Sequence, residues 1–498
     1  MNIMELTIDR GSYVPVYQQI AIKIKDKILS QELTPGFKLP AERRMAEALD
    51  VHRNTVVKAY NVLITEGLVT VSRQKPKGYF VGTPKEITDF GKRFFPLEKA
   101  FRYEFRREEK RFNDIYGNSG TKNMISFGGM IMDRRLSPVL KMEHIAGRIF
   151  NNSEKDYMAG FGRETERLKE NICRLLTRQN IYVMPKNVQI MGESNQAISY
   201  LITLYLREGD WIAAEEPIVP DNASIFYNRG IHIATVPMEE DGMRMDMLED
   251  AIRKYKPKFI YTQPSFHNPT GITMSLKKRQ TLLQLANAYN VPVIEEDYQQ
   301  EFSYTERILP SLYALDDNKL VIYVYSYTLI FPYMMKIGYA VGPSDFIDMM
   351  GYALSVDETI VSGIGQYFLN EYIDSGEYDR HVKTVRREYS VRLDLLCSEL
   401  DKILDKGIAY QKPSGGMLLW CTLADGINER ELCRLAEEKG VLVMPGWVFY
   451  RNCNRKKGHL RICFSNVSND EIGRGVALLG EALDECRHQK SIKTEREQ

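Results

Sequence analysis

The N-terminal part of the chain has the spacing of a small helical unit followed by a hairpin. Apolar residues recur at every fourth position from Val16 onwards, which predicts an amphipathic helix over residues 15–30. A loop containing Pro and Gly follows, and then a short helix is predicted over 41–50 and a third helix over 52–67. The runs LVTVS and GYFVG predict two strands joined by the turn QKPKG. This order of elements predicts a winged helix-turn-helix within residues 13–82.

The pattern changes beyond residue 125, where short apolar runs alternate with helical segments. The runs include NVQIMG, WIAAEE, KFIYTQ, VPVIEED and KLVIYVY. This alternation is typical of a mostly parallel sheet with helices on both faces. We therefore expect an α/β domain over residues 125–490, with a smaller C-terminal α+β lobe. The charged stretch over residues 83–124 lacks a clean period and ends in Gly, Ser and Asn, so we interpret it as a linker.

Charge is distributed unevenly along the chain, although the formal net charge of the whole chain is only +1. Residues 1–82 hold 12 Lys and Arg against 8 Asp and Glu, and residues 83–124 hold 10 against 7. The rest of the chain therefore carries a net charge of −6. A basic N-terminal part joined to an acidic body indicates that the N-terminal part binds a polyanion.

The cysteines and the apolar segments indicate where the protein works. The seven cysteines are scattered and form no C-x-x-C pair, as expected of reduced thiols in the cytoplasm. The first residues lack the charged-then-apolar order of a signal peptide, and no run of about 18 apolar residues could span a membrane. The histidines and cysteines show no metal-site spacing. We expect a cytoplasmic protein with no membrane partner and no bound metal.

The third predicted helix begins with polar side chains, which recognition in the major groove of DNA requires. Basic residues on the second and third helices and on the wing could hold phosphates. The alternative is that this small unit packs against another domain and that its charges are only solvated. The candidate DNA-binding residues are Arg43, Arg44, His52, Arg53, Asn54, Thr55, Lys58, Lys77 and Gly78.

The segment LPAERRMAEALDVHRNTVVKAYNVLITEGLV resembles the GntR-type winged helix. The family pattern runs L-P-S-E-R-x-L-A, then S-R-x-T-V-x-x-A, then L-x-x-E-G-L, and the resemblance covers residues 15–81. It implies that this unit binds double-stranded operator DNA. Ala41 and His52 depart from the pattern, because each stands where the family usually has Ser.

Motifs in the large domain resemble fold-type I aminotransferases, in the arrangement of the MocR branch of GntR regulators. They are, in order, GESNQAI, EEPIVPDN, QPSFHNPTG, VIEEDYQQEF, YVYSYTLIFPYMMKIGYAVGP, PSGGM, MPGWVFY and HLRICFSN. The resemblance spans most of residues 125–485 and implies the aminotransferase class I/II fold. It also implies a head-to-tail homodimer, and pyridoxal phosphate as the cofactor of the family.

The lysine that forms the internal aldimine in that family has no counterpart in this chain. The family segment F-S-K-x-L-x-P-x-L-R-I-G-Y is similar to SYTLIFPYMMKIGY, which is one residue longer. Alignment on the Phe-Pro pair places Thr328 at the lysine position, and alignment on the Gly-Tyr pair places Leu329 there. Lys336 corresponds to the family's arginine near the phosphate. The resemblance therefore predicts that no covalent aldimine forms at the usual place.

Other cofactor contacts of the family are partly altered and partly kept. Val219 stands where the family has the tyrosine that stacks on the ring. Glu296 stands where it has the aspartate that faces the pyridinium nitrogen, and its extra methylene would crowd a ring set for Asp. We expect His267 and His381 to be structural. The candidate pocket residues are Ser194, Gln196, Val219, Asn268, Glu296, Tyr298, Thr328, Lys336 and Arg461.

Several interpretations of the large domain compete. We favour a catalytically inactive domain that senses a small effector, such as an amino acid, an amine or a vitamin B6-like molecule. The domain could instead bind pyridoxal phosphate without a covalent bond, or serve as a dimerisation body with no ligand. An active pyridoxal phosphate-dependent transferase is the alternative from another class, and the missing lysine argues against it.

Overall fold

The computed structural model divides into two units, residues 1–116 and residues 117–498. The predicted linker over residues 83–124 lies outside the described residues, except for its last position. The structure describes residues 15–29, 32–72, 77–82, 124–138, 160–305, 308–331, 335–357, 361–451 and 457–497, and the single positions 6, 8 and 145.

The first unit has the predicted order of helices and hairpin. Its elements are α1 (Val16–Leu29), α2 (Glu42–Ala48), α3 (Arg53–Thr65), β1 (Val69–Ser72) and β2 (Gly78–Val81). The two strands pair antiparallel, with Val69 opposite Val81. The prediction of a winged helix-turn-helix is confirmed.

The apolar stripes of the first unit's helices meet in one core. Ile20 of α1 lies in the same cluster as Val56 and Leu63 of α3, and all three are fully buried. Tyr60 of α3 is buried as well, and its hydroxyl donates a hydrogen bond to the carbonyl of Pro40 at 2.9 Å. The spacing of apolar residues along the sequence is therefore the spacing of core contacts.

The second unit alternates helices and strands along the chain, as the sequence predicts. The described helices are α4 (Gly160–Thr177), α5 (Ser194–Tyr205), α6 (Pro220–Tyr227), α7 (Met245–Tyr255), α8 (Leu276–Tyr289), α9 (Leu312–Leu315), α10 (Ser344–Val356), α11 (Gly363–Asp374), α12 (Glu377–Asp401), α13 (Glu429–Glu438) and α14 (Asn469–Glu497). The described strands are β3 (Ile125–Ser126), β4 (Val188–Met191), β5 (Trp211–Glu216), β6 (His232–Glu239), β7 (Gly242–Met243), β8 (Ile260–Thr262), β9 (Val293–Glu296), β10 (Val321–Ser326), β11 (Gly338–Val341), β12 (Ile408–Tyr410), β13 (Leu418–Leu423), β14 (Val441–Leu442), β15 (Met444–Pro445) and β16 (His459–Cys463).

The main sheet of the second unit has the strand order β4-β11-β10-β9-β8-β5-β6-β7. Neighbours from β10 through β9, β8 and β5 to β6 pair in parallel. β11 lies antiparallel between β10 and β4, and β7 pairs antiparallel with β6. The sheet is therefore mostly parallel, as predicted, and β11 is an antiparallel strand that the apolar runs did not indicate.

Helical layers cover both faces of this sheet. Ile212 and Ala214 of β5 belong to an apolar cluster that includes side chains of α5, α6 and α10. Ala213, between them, belongs to another cluster with side chains of α7 and α8. Because successive side chains of a strand point to opposite faces, the two clusters lie on opposite sides of the sheet. This is the predicted α/β arrangement.

The C-terminal lobe contains an antiparallel sheet with the order β12-β13-β16-β15. Helix α14 packs against α12 and α13, and β14 pairs in parallel with β3 from the start of the unit. The prediction of a smaller α+β lobe is confirmed.

Two further observations limit the kinds of site available. Within the described ranges, no helix combines the length and apolar character needed to cross a membrane. The same ranges contain no group of three or more His, Cys, Asp and Glu side chains placed to hold a metal ion.

Candidate functional site

His52 ends the turn between α2 and α3 and caps α3. Its Nδ1 accepts a hydrogen bond from the backbone N–H of Asn54 at 3.2 Å. Serine at an N-cap makes the same kind of bond through its hydroxyl, so the departure at His52 keeps the cap. Ala41, at the N-cap of α2, makes no side-chain capping bond. The departure from the GntR pattern at Ala41 therefore removes a side-chain capping bond.

Arg53, the first residue of α3, is linked to α2 and to the wing through Glu42. Its Nε and Nη2 donate to Oε2 of Glu42 at 2.8 and 2.6 Å. Tyr79 on β2 donates to Oε1 of the same carboxylate at 2.5 Å. The hydrogen bond from Tyr79, together with Arg53, holds the pKa of Glu42 below its ordinary value. The guanidinium is thus fixed at the start of the helix, while 53% of the Arg53 side chain stays exposed.

The nine predicted DNA-binding residues all reach the surface of the first unit. Thr55 and Gly78 are half-buried, and the other seven are exposed. They lie on α2, at the N-cap and in the N-terminal half of α3, and at the start of the wing strand β2. Lys38 was not among them, yet it is exposed beside the wing, with Nζ 5.8 Å from the ring centroid of Phe80. The sequence indicates a DNA contact at Lys38 only in that this residue is basic and lies in the loop before α2.

A cavity of about 200 Å³ lies in the second unit at the carboxyl ends of the parallel strands. Glu296 and Ser326 end β9 and β10, whereas Val219 and Asn268 lie in the segments that follow β5 and β8. The structure brings six of the predicted pocket residues to the cavity wall, namely Ser194, Val219, Asn268, Glu296, Tyr298 and Thr328. The other residues on the wall are Met130, Glu193, Asn195, Asp221, Asn222, Ser326 and Leu329.

Glu296 is the buried carboxylate of this cavity. It is 2% exposed, and its Oε2 accepts hydrogen bonds from Nδ2 of Asn222 at 2.9 Å and from Nε2 of Gln263 at 2.6 Å. The hydroxyl of Tyr261 donates to the same oxygen. Three donors on one oxygen suit an ionised carboxylate, which only accepts. These contacts hold the longer side chain of glutamate back towards β8.

Asn268 joins Tyr298 and Arg461 at the cavity wall. Its Nδ2 donates to the hydroxyl of Tyr298 at 3.2 Å, and its Oδ1 accepts from Nη1 of Arg461 at 3.1 Å. Nη2 of Arg461 donates to the carbonyl of Gly128 at 2.6 Å. Burial raises the pKa of Tyr298 far above its ordinary value, so its hydroxyl stays protonated. Arg461 is buried behind Asn268 and does not line the cavity itself.

Both residues that can be aligned with the family's lysine lie on the cavity wall. Oγ1 of Thr328 is 3.0 Å from Oγ of Ser326, and Leu329 is largely buried. The choice between the two alignments therefore does not change the result, because neither residue carries an amine. Along the chain, the flanking lysines are Lys319 and Lys336.

Two predicted pocket residues point elsewhere. Oε1 of Gln196 accepts from the backbone N–H of Gly192 at 2.6 Å, and Gln196 is not on the wall. Nζ of Lys336 lies 3.4 Å from Oε1 of Glu193, and 49% of the Lys336 side chain is exposed. Each side chain contacts a residue just before α5, Gly192 or Glu193, and neither lines the cavity.

Sequence reasoning missed several polar residues of the wall. Asp221 and Asn222 fall in the first turn of α6, directly after Val219, and Asn195 follows Ser194 in α5. All three belong to motifs that carry the resemblance, EEPIVPDN and GESNQAI. The sequence could have indicated them, because they lie beside the predicted pocket residues Ser194 and Val219.

Comparison with known proteins agrees with this arrangement. Residues 151–479 match the aminotransferase class I and II family, and residues 16–81 match the bacterial regulatory proteins of the gntR family. The chain is 25% identical over 481 residues to the HTH-type transcriptional regulator YdfD of Bacillus subtilis, covering 95% of this chain and 97% of that protein. It is 26% identical over 451 residues to the "Probable rhizopine catabolism regulatory protein MocR" of Rhizobium meliloti, covering 88% of each. The chain belongs to the aminotransferase class I and II family and is a MocR-type regulator.

The second unit of this MocR-type regulator is also similar to solved enzyme structures. LysN, an alpha-aminoadipate aminotransferase from Thermus thermophilus, aligns with a TM-score of 0.70 and 26% identity, covering 79% of this chain and 99% of that chain. That enzyme was solved with N-(5'-phosphopyridoxyl)-L-leucine. The MocR-type chain therefore combines a DNA-binding GntR unit with an aminotransferase-like unit, in a family whose cofactor is pyridoxal phosphate.

Proposed function

We propose that this chain regulates transcription by binding operator DNA with its first unit and a small effector in the cavity of its second unit, without catalysing a reaction. The observation that carries the proposal is the cavity wall, where Thr328 and Leu329 stand at the two possible lysine positions. None of the described residues on that wall is a lysine. A transaminase needs that amine to hold its cofactor and to move protons, so the fold is present without its reactive group.

The residues of the cavity do not fit pyridoxal phosphate as the family binds it. Val219 offers no aromatic face for the ring, and a stacked pair of that kind contributes roughly 1 kcal/mol. At the start of α5, where the phosphate would be expected, Glu193 lines the wall and Lys336 is paired with it at 3.4 Å. The proposed function therefore does not depend on the cofactor.

On DNA, α3 acts as the recognition helix. Its first residues, Arg53 and Asn54, face the bases, whereas Arg43, Arg44 and Lys77 hold phosphates. Two chains in a head-to-tail homodimer carry two such units, which would bind two half-sites of one operator. The exposure of basic residues on α2, on α3 and beside β2 supports this role.

The effector acts by changing which state of the dimer is populated. A ligand shifts such an equilibrium only if it binds one state more tightly than the other. The cavity therefore controls operator affinity to the extent that its wall differs between the operator-binding state and the other state. A DNA-bound dimer without any effector is the competing proposal, and effector-dependent operator affinity separates the two.

Arg53→Ala tests the assignment of the recognition helix. An operator is first selected with the wild-type protein from a random duplex library, and affinity is then measured by fluorescence anisotropy at fixed salt. Loss of a guanidinium contact to DNA should weaken binding about tenfold or more, because a good base contact contributes about 1–3 kcal/mol. Arg434→Ala is the matched control, since Arg434 is half exposed and paired with Glu431 in the second unit. Equal affinity of both variants would mean that α3 is not the recognition helix.

The absence of covalent cofactor chemistry is tested directly. Purified protein is titrated with pyridoxal phosphate, its visible absorbance is recorded, and the sample is reduced with borohydride and mapped by peptide mass. We expect no lysine adduct in the second unit. A single mapped lysine together with a persistent absorbance band would contradict the proposal and favour a cofactor-dependent regulator or an active transferase.

A further inference from the structure

The cavity wall carries negative charge with no matching cation on it. Glu193, Asp221 and Glu296 line the cavity, and none of the described lining residues is lysine, arginine or histidine. The remaining polar residues of the wall are amides and hydroxyls, which are neutral. An anionic ligand would therefore enter a site of its own sign.

The two cations considered as pocket residues are already engaged with protein atoms. Lys336 is paired with Glu193 at 3.4 Å. Arg461 donates to Asn268 and to the carbonyl of Gly128, at 3.1 and 2.6 Å. Neither Arg461 nor Lys336 is among the residues that line the cavity, although Arg461 lies close enough to Asp221 to favour the charged form of that carboxyl.

The wall also presents hydrogen-bond acceptors that lack donors. Glu296 is only 2% exposed, and its three donors all bind Oε2. Glu296 lines the cavity, and no residue in the described part of the chain donates to its Oε1. Oδ1 of Asn195 is buried without a partner among those same residues. Asn222 turns its amide nitrogen towards Glu296, which leaves its Oδ1 on the other side.

We infer that the cavity binds a small organic ammonium cation, an inference that rests on the effector role proposed above. An ammonium group carries only donors, and this wall offers unfilled acceptors. A charge-assisted bond to Oε1 of Glu296 would be the central contact, with Asp221 adding attraction. A cavity of about 200 Å³ accommodates a short amine.

This assignment separates amines from the other effectors that the fold suggests. An amino acid would bring a carboxylate that needs its own cation, and a vitamin B6 phosphate would bring two negative charges. Both would meet Asp221 and Glu296 without an unpaired cation on the described wall. A simple amine satisfies the wall with one group.

Isothermal titration calorimetry on the full-length protein tests the inference. The probes are n-butylammonium chloride and putrescine dihydrochloride, compared with sodium chloride, inorganic phosphate and pyridoxal phosphate at equal ionic strength. We expect both ammonium probes to bind and both phosphates to fail. Glu296→Gln should weaken ammonium binding about tenfold, because it removes the charge of the central acceptor. Asp221→Asn, a change at an exposed position, should weaken it in the same direction without touching the buried network.

Glu240→Gln is the control, since it makes the same chemical change at an exposed residue outside the cavity. Ammonium binding that is equal in the Glu296, Asp221 and Glu240 variants would overturn the inference, as would phosphate binding without ammonium binding. Operator affinity is measured on the same samples with and without putrescine. Ammonium binding that leaves operator affinity unchanged would refute the effector role and keep the cation site. Pyridoxal phosphate changing operator affinity without ammonium binding would do the reverse.

Discussion

Glu215 and His267 form a buried pair whose titrations change the free energy of unfolding in opposite directions. Replacing one residue should therefore reveal the pH dependence that the other contributes. Glu215 lies on β5 and accepts from Thr262 and from the backbone N–H of Gln263 at 3.1 Å. Burial raises the pKa of Glu215 from 4.5 to about 7. His267 lies with its Nε2 3.9 Å from Oε2 of Glu215, and burial lowers its pKa from 6.5 to about 3. Both residues are only 2% exposed, so solvent screens neither effect.

The two shifts change the free energy of unfolding with opposite sign. The raised pKa of Glu215 stabilises the fold fully below pH 4.5, and this contribution is lost as pH rises through about 7. The lowered pKa of His267 gives stability that is present above pH 6.5 and lost as pH falls towards about 3. Between pH 6.5 and 4.5 each contribution changes by about 2 kcal/mol, and the two nearly cancel.

Glu215→Gln should therefore lose about 2 kcal/mol of unfolding free energy, relative to wild type, when the pH falls from 6.5 to 4.5. His267→Gln should gain a similar amount over the same interval. Urea unfolding followed by tryptophan fluorescence measures this for the second unit alone, because the three tryptophans are Trp211, Trp420 and Trp447. Glu240→Gln, at an exposed position, is the control. Parallel pH curves for wild type and Glu215→Gln would refute the reasoning.

Three further predictions concern the first unit and the C-terminal lobe. His52→Ala should cost about 1 kcal/mol by removing the N-cap of α3, and His52→Ser should restore it; amide hydrogen exchange in the first turn of α3 measures both. Lys77→Ala should weaken operator and non-operator DNA alike and lower the salt dependence of log affinity by about one, which a salt titration measures. Arg392→Met should lower the free energy of unfolding by about 3 kcal/mol, because Arg392 is 3% exposed and donates to the buried Asp133 at 2.6 Å. Urea unfolding measures this change, and a loss below about 1 kcal/mol would contradict the prediction.

Most elements could be predicted because each apolar run serves one local layer of core. WIAAEE coincides with β5, and the runs VPVIEED and KLVIYVY differ from β9 and β10 by one or two residues at each end. β11 could not be predicted in the same way, because its place depends on the neighbours β10 and β4 that tertiary structure supplies. Gly338 illustrates this, since a Cβ there would lie 2.6 Å from the carbonyl oxygen of Tyr325. Only the assembled sheet requires glycine at that position.

The candidate site could be predicted to the level of motifs but not of side-chain direction. Asn268, Glu296 and Thr328 meet at the cavity because they belong to segments at the carboxyl ends of parallel strands. Gln196 and Lys336 belong to equally good motifs, yet a backbone N–H and a neighbouring carboxylate draw their side chains away. Such local competition depends on distances of a few ångström, which one sequence does not contain. In contrast, Thr328 and Leu329, the two residues that can be aligned with the family's lysine, both line the cavity.

The meaning of Glu296 depends on its neighbours more than on its length. As a replacement for aspartate it was expected to crowd a bound ring, but Asn222, Tyr261 and Gln263 hold one of its oxygens away from the centre of the cavity. A buried carboxylate costs several kcal/mol unless donors compensate it, and three donors on a single oxygen leave the second oxygen with an unmet demand. Val219 and Glu296 line the same cavity, and valine is smaller than the tyrosine that the family has at that position. Under the proposed function the altered residues act together, because they remove the means of holding a reactive cofactor and leave an acceptor that a bound ligand can satisfy.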